Sequence, residues 1–205
     1  MAQVFPTKGN LLVLQKSLKQ SEAGYDLLDK KRNILILEMM QLIEKARDLN
    51  TNVDQAYAKA YKNLQRANTR NGMVMEAATA THIDNSLEIH YHSVMGVDIP
   101  VITADPIKPH PYYGVHSTGS AVDETYLSFL EVREQTLLLA QVENSIYRLA
   151  KAIRSTQRRA NSLKNVVIPT YRKNVKYISD YLEEKEREEF SRLKVLKSTK
   201  DEEEA

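Results

Sequence analysis

"LLVLQKSLKQSEAGYDLLDKKRNILILEMM", residues 11–40, contains no proline and one glycine, and its apolar residues recur alternately three and four positions apart. When this heptad is continued from position 11 to position 63, 13 of the 16 a and d positions are apolar. A repeat of this length predicts a coiled coil rather than an ordinary surface helix. The polar exceptions are Ser21, Arg32 and Asn63, and for Arg32 we expect a packed aliphatic stem with its charged head in water. Residues 1–70 are therefore predicted to form one long helix.

A second helical stretch occupies residues 120–205. Eight of nine residues are apolar at positions 139, 142, 146, 149, 153, 156, 160, 163 and 167. Beyond Pro169 the apolar positions move to 171, 175, 178 and 182, and a shift of this kind changes supercoiling locally. Proline removes a backbone donor and usually kinks a helix, at a cost of ~3 kcal/mol or more. We expect the helix to be irregular where the proline lies.

The connecting region, residues 71–119, has a different pattern. "SLEIHYHSVMGVDIPVIT", residues 86–103, alternates, with Leu87, Ile89 and Tyr91 on one predicted face, and Gly96 lies where a turn is expected. Three further prolines follow within residues 104–119, which favours an irregular loop. The predicted fold is all-α: a long antiparallel two-helix coiled coil with a short β-hairpin and loop region at the connected end.

The predicted register follows from an antiparallel arrangement of the two helices. If both helices start at the connecting region, Leu11 lies opposite roughly Lys176, given a rise of ~1.5 Å per residue. The charged stretch that follows, "YISDYLEEKEREEFSRLKVLK" at residues 177–197, then extends beyond the first helix. Such a helix end needs another packing partner.

Two histidines on the hairpin admit two interpretations. His90 and His92 point the same way from one strand, with Glu88 as the nearest third metal ligand. That set matches part of a metal site, but we prefer an exposed hairpin face and expect no metal.

Composition excludes several classes of chemistry. There is no cysteine, no phosphate-cradling glycine-rich loop and no nucleophile–base pattern, so neither cofactor binding nor catalysis is expected. No stretch approaches ~18 consecutive apolar residues, so no direct membrane insertion is expected. We expect a cytoplasmic protein.

Charge is concentrated in one part of the second helix. Residues 144–179 contain nine Lys or Arg and no Asp or Glu. A basic stripe is one mark of nucleic-acid binding. The tyrosines within it have helix-packing spacing, however, and no recognised nucleic-acid motif accompanies them. An exposed face, or one that meets an acidic protein, is the better interpretation.

Within this basic window, "QRRANSLKNVVIP", residues 157–169, resembles the R-R-V-N-A-L-E-x-x-x-I-P signature of the D subunit of V/A-type (vacuolar/archaeal-type) ATPases and ATP synthases. Ala160, Ser162 and Lys164 depart from the signature, and Lys164 reverses the usual charge. "YISDYLEEKEREEFSRLK", residues 177–194, is similar to the later family motif Y-I-x-x-x-L-E-x-x-E-R-E-x-x-x-R-L-K. "FPTKGNLLVLQKSL" and "GYDLLDKKRNIL", residues 5–18 and 24–35, resemble the N-terminal block of the family.

The resemblance implies a non-catalytic central-stalk rotor subunit. Its implied partners are the small F subunit of the central stalk, a hexamer of A and B subunits, and the C/d subunit that links the shaft to the membrane ring. The implied location is cytoplasmic and peripheral on the membrane, and ATP turnover in the hexamer would be coupled to H⁺ or Na⁺ transport. We expect Pro169 to set a bend that makes the shaft eccentric, and arginines to contact the acidic lining of the hexamer. The candidate contact residues are Arg154, Arg158, Arg159, Asn161, Lys164, Pro169, Glu183, Glu186, Arg187 and Arg192.

Two alternatives stay open from the residues alone. A free coiled-coil scaffold or tether would be stable as a homo-oligomer without other subunits. A nucleic-acid-binding helical protein would show an affinity that falls steeply with salt.

Overall fold

A computed structural model describes residues 5–72, 74–81, 85–104, 109–110, 112–114 and 118–203, with side chains up to residue 197. Its elements are α1 (Lys8–Asn71), α2 (Met75–Ala80), β1 (Glu88–Val94), β2 (Val97–Thr103), α3 (Ser120–Ser162), a π-helical turn (Leu163–Val167) and α4 (Ile168–Glu203). The chain divides into two compact units. The first unit joins Met1–Arg32 to Arg154–Ala205, and the second is Asn33–Ile153. The predicted class, an all-α coiled coil with a short β-hairpin, is confirmed.

The predicted seams of both helices are confirmed by burial. All 16 a and d positions of α1 between residues 11 and 63 are buried or half-buried. The same holds for the nine predicted positions from 139 to 167 and for the four beyond the proline. The side chains of Leu35, Leu149 and Ile178 are fully buried. The apolar stripes are therefore the surfaces through which the helices pack.

Within the first unit the two segments run antiparallel. Lys8 Nζ lies 2.8 Å from Glu186 Oε1, and Arg172 contacts Glu22 at 2.7 Å. These pairs lie about two helical turns further along α4 than the predicted register, which places Leu11 opposite Lys176. Long side chains that reach along the helix and an additional residue in the π turn together account for this difference.

The helix irregularity expected at Pro169 is the π turn that directly precedes it. The Ile168 N–H donates to the Leu163 carbonyl five residues back, so this turn is wider than an α-helical one. A proline ring would otherwise clash with the carbonyl four residues before it, which belongs to Asn165. Thr170 Oγ1 donates to the Val166 carbonyl at 2.6 Å, so one carbonyl near the proline gains a side-chain donor. The helix thus accommodates Pro169 without a break in the chain of turns.

The core of the second unit uses small residues where α1 and α3 meet. Ala56 and Ala60 pack with Val132, and Ala67 packs with Ala121 and its neighbour Val122. Alanine at these positions lets two helix backbones approach closely, and partly buried aromatic rings fill the margins.

The polar seam residue of the second unit is satisfied across the interface. Asn63 Nδ2 donates to Ser128 Oγ at 2.7 Å, and that hydroxyl donates to the Glu124 carbonyl at 2.7 Å. Buried polar groups need such partners, because an unpaired one costs ~1–3 kcal/mol. Asn63 and Ser128 can therefore be buried without the cost of an unpaired polar group, and their hydrogen bond specifies which residues of α1 and α3 face each other.

The predicted hairpin forms, and its turn contains Gly96, as the sequence predicts. Val94 and Val97 close a two-residue turn, and its central residues Met95 and Gly96 have φ of 51° and 73°. Positive φ at both positions matches the twist of the flanking strands, and glycine adopts it without strain. The strands contact α3 around Gln141, which refines the predicted location: the hairpin lies along α3, well past its first turn.

No helix in the described part of the chain combines the length and apolarity that a membrane crossing requires.

Leu149→Ala should lower the free energy of unfolding by about 2–5 kcal/mol, because this fully buried side chain leaves a cavity. Leu127→Ala is the matched control on the same helix, since Leu127 is 51% exposed and should cost much less. Urea unfolding of the purified chain, followed by helical circular dichroism, measures both. Equal costs for the two substitutions would contradict the predicted seam.

The hydrogen bond from Lys8, together with its charge, lowers the pKa of the Glu186 carboxyl, and Glu186 raises the pKa of Lys8. Any stabilisation from this pair is present above the ordinary pKa of glutamate and is lost as pH falls through the lowered value. Carboxyl-carbon NMR should show the lowered Glu186 pKa in the wild-type chain and in Lys8→Arg. In Lys8→Gln the pKa should return toward its ordinary value; a titration unchanged by Lys8→Gln would rule out this pairing.

Candidate functional site

The candidate contact residues all belong to the first unit, where they are spread along the last turns of α3, the π turn and α4. All ten are exposed: Arg154, Arg158, Arg159, Asn161, Lys164, Pro169, Glu183, Glu186, Arg187 and Arg192. The seam explains this, because positions 153, 156, 160 and 163 turn inward and leave the intervening residues on the outer surface.

Three arginines form the positive part of this surface. Arg154 and Arg158 are four residues apart and share one face of α3, and Arg159 follows on the adjacent face. Within the described residues, no ion pair of the chain engages any of the three. Exposed guanidinium groups with free donors suit carboxylates, which they can bind through two hydrogen bonds at once. We call these three residues the arginine band.

A polar network under the arginine band holds the two segments of the first unit in register. Arg32 Nη2 lies 2.7 Å from Asp29 Oδ1, and Arg32 Nη1 donates to Gln157 Oε1 at 2.8 Å. Gln157 in turn donates to Asn161 Oδ1 at 2.8 Å. The head of Arg32 is thus bound by protein groups, whereas the sequence pattern predicts a head in water. A polar residue at an a position is the only sequence signal of this network.

Lys164, which departs from the family signature, contacts another residue of the same chain. Its Nζ is 5.8 Å from the centre of the Tyr25 ring, a cation–π geometry. Both residues line an open cleft of about 550 Å³ beside the π turn, together with Asp26, Pro169 and Arg172. An exposed ammonium at the rim of a cleft is available to a partner as well.

The end of α4 carries the acidic and basic candidates and several exposed apolar residues. Glu183 and Arg187 are 3.8 Å apart at i, i+4 spacing, a weak pair because both are exposed. Phe190 and Leu193 are 71% and 65% exposed. Apolar residues three positions apart on an otherwise charged helix are the sequence signal for a contact surface here. Phe190 is not among the ten candidate contact residues, because the family motif has no fixed residue at that position.

The hairpin candidates lie in the second unit, away from these residues in sequence. Leu87, Ile89 and Tyr91 are 40%, 51% and 58% exposed, and Gly96 lies in the turn. The Arg148 guanidinium lies 5.0 Å from the centre of the Tyr91 ring, so that ring also helps hold the hairpin on α3.

The histidine face of the hairpin is open. His90 Nε2 lies 3.3 Å from Glu88 Oε2, and the His90 side chain is 64% exposed. In the part of the chain that the structure describes, no three His, Asp or Glu side chains group closely enough to hold a metal ion.

Known proteins that resemble this chain match it over nearly its whole length. Residues 10–198 match the family described as the D subunit of ATP synthase. The D subunit of the V-type ATP synthase of Thermotoga neapolitana is 40% identical over 196 residues, which cover 95% of this chain and 97% of that protein. The D subunit of the A-type ATP synthase of Thermococcus sibiricus is 37% identical, covering 96% of this chain and 94% of that protein. That of Methanosarcina mazei is 38% identical, covering 97% and 98%.

The family match over residues 10–198, the relatives above 30% identity and the coiled-coil fold with its hairpin agree with one another. This chain belongs to the family of ATP synthase D subunits.

Proposed function

We propose that this chain is the non-catalytic central rotor shaft of a V/A-type ATPase. It couples ATP hydrolysis or synthesis in a hexamer of A and B subunits to H⁺ or Na⁺ transport by a membrane ring. Family membership supports this role over that of a free coiled-coil scaffold. The observation that carries the proposed contact with the hexamer is the arginine band, three exposed cations that lie between the positions of a packed seam and that no ion pair of the described residues engages.

The packing of the helices supports a mechanical role. Helix α1 runs without interruption from Lys8 to Asn71, and every predicted seam position between residues 11 and 63 is at least half-buried. Close packing resists sliding and twisting because each displacement opens gaps that lose contacts. The Arg32–Gln157 contact opposes a slip in register, as polar seam residues do in other coiled coils.

The proposed partners bind the surfaces that the packed seam leaves exposed. The end of α4, with Phe190 and Leu193 exposed, lies inside the bore of the hexamer, where it gains packing. The arginine band contacts acidic residues of the bore and biases each catalytic subunit as the shaft presents it. The F subunit binds the coiled coil, and the C/d subunit links it to the ring, which keeps the chain on the cytoplasmic side and peripheral to the membrane. In this proposal Pro169 and its π turn set the eccentricity of the shaft.

A tagged copy of the chain, expressed in its native cell and purified under mild conditions, should bring down A and B subunits and a small F subunit. Mass spectrometry of the eluate identifies them. A stable homo-oligomer of this chain alone would contradict the rotor role and favour the scaffold.

Replacing Arg154, Arg158 and Arg159 together by Ala should reduce ATP-driven ion transport by the reconstituted complex ~3- to 10-fold, because charge pairs across an interface orient the partners. Transport and ATP hydrolysis are measured in parallel in vesicles, so that loss of coupling is distinguished from loss of turnover.

The matched control removes three other exposed cations of the same unit, Lys16, Lys19 and Lys30, which lie on α1. This variant should keep near wild-type coupling. Circular dichroism checks that both triple variants stay helical. Unchanged coupling in the arginine variant would disprove the role of the arginine band.

A further inference from the structure

The register of the hairpin determines which backbone groups point out of it. The Ile102 N–H donates to Gln141 Oε1 at 3.0 Å, and the Asp98 carbonyl accepts from Arg148 at 3.2 Å. Both groups are therefore directed away from β1. Antiparallel pairs alternate between those that exchange two hydrogen bonds and those whose backbone groups point outward. Ile102 pairs with Ile89 and Asp98 pairs with Ser93, so these pairs are of the outward kind.

Tyr91 lies between these two residues and pairs with Pro100, so it belongs to the same set. Strand β1 consequently presents the N–H and C=O groups of Ile89, Tyr91 and Ser93 along its outer edge. In the described residues, no backbone group pairs with this edge. We call it the β1 edge.

The two edges of the hairpin have different surroundings. The outer edge of β2 is covered by α3 through Gln141 and Arg148, and its third outward position is the buried Pro100, which has no N–H to satisfy. The β1 edge is seven residues long and contains no proline, lysine or arginine. Proteins usually protect an open edge with such residues, because unpaired strands recruit other strands. The β2 edge is therefore closed to a further strand, whereas the β1 edge, apart from the charged Glu88 at its end, is open to one.

We propose that the β1 edge accepts an extended segment of a neighbouring subunit as a third strand, and that this segment carries Lys or Arg side chains. The proposal rests on the assembly proposed above. Three outward residues offer donors and acceptors in alternation, the pattern that strand addition uses. The exposed side chains of Ile89 and Tyr91 offer apolar contact to such a strand.

The charge of the region determines the chemistry of the occupant. The two strands of the hairpin contain two acidic residues, Glu88 and Asp98, and no Lys or Arg. The Glu88 side chain, at one end of β1, is 74% exposed. A basic segment is attracted to this surface, whereas a second copy of the chain would bring two acidic regions together.

Hydrogen–deuterium exchange at residue level tests the proposal on the free chain and on the purified assembly. The amides of Ile89, Tyr91 and Ser93 should exchange at least about tenfold more slowly in the assembly, because each gains a backbone acceptor. The amides of His90 and His92 should change little, since they already bond within the hairpin.

Two substitutions at one position distinguish the contribution of the backbone N–H from that of the side chain. Tyr91→Pro removes the central outward N–H, a group that makes no bond between β1 and β2. Tyr91→Thr keeps that N–H, and both variants lose the ring contact with Arg148. Protection of Ile89 and Ser93 in the assembly should survive in Tyr91→Thr and disappear in Tyr91→Pro. Glu88→Lys should weaken the protection, since it repels a basic strand.

The exchange rates, taken together with the co-purification result, distinguish failure of this proposal from failure of the proposed rotor role. If A and B subunits co-purify but the three amides exchange as fast as in the free chain, this proposal alone is overturned. If protection appears in the free chain and rises with its concentration, the edge pairs with a second copy and the basic partner is disproved. If no A or B subunits co-purify, the proposed function fails and this proposal fails with it.

Discussion

Continuous burial of one narrow stripe on each long helix is the constraint on which the other features depend. Helices gain most of their stability in proteins from packing of such a face, not from intrinsic propensity. Alanines at 56, 60 and 67 let the backbones approach, whereas Leu35 and Leu149 fill the wider spaces. Because the stripe turns inward, most of the residues between its positions are left on the outer surface. The arginine band and the exposed end of α4 are consequences of that division.

The π turn shows how the same constraint accommodates a proline. Each added residue rotates a helix by roughly 100°, so one additional residue in a wide turn changes which side chains face the seam. The seam positions accordingly change from alternate spacing to Tyr171, Val175 and Ile178 after the turn, and all three stay at least half-buried. The proline therefore coexists with a packed interface, and the exposed cations that precede it keep their outward direction.

Surfaces that the seam does not use are the places where other proteins can bind. In the first unit these are the arginine band and the apolar residues near Phe190, one electrostatic and one hydrophobic. In the second unit it is the β1 edge, whose outward N–H and C=O groups pair with no other backbone group among the described residues. Each surface offers a different kind of contact, which suits a subunit that meets several partners.

Periodicity is a local property, so the sequence alone determined the two long helices, their seams, the hairpin and its turn at Gly96, but not the short helix α2 in the connecting region. It also determined that the candidate arginines face outward, because they lie between seam positions. Register and hydrogen-bond partners depend on which chain segments meet, and only the tertiary structure decided them. Thus the Arg32–Gln157 contact, the pairing of Lys8 with Glu186 and the π turn before Pro169 were beyond the sequence pattern. The covered and open edges of the hairpin differ for the same reason: strand alternation is identical for both, and packing against α3 distinguishes them.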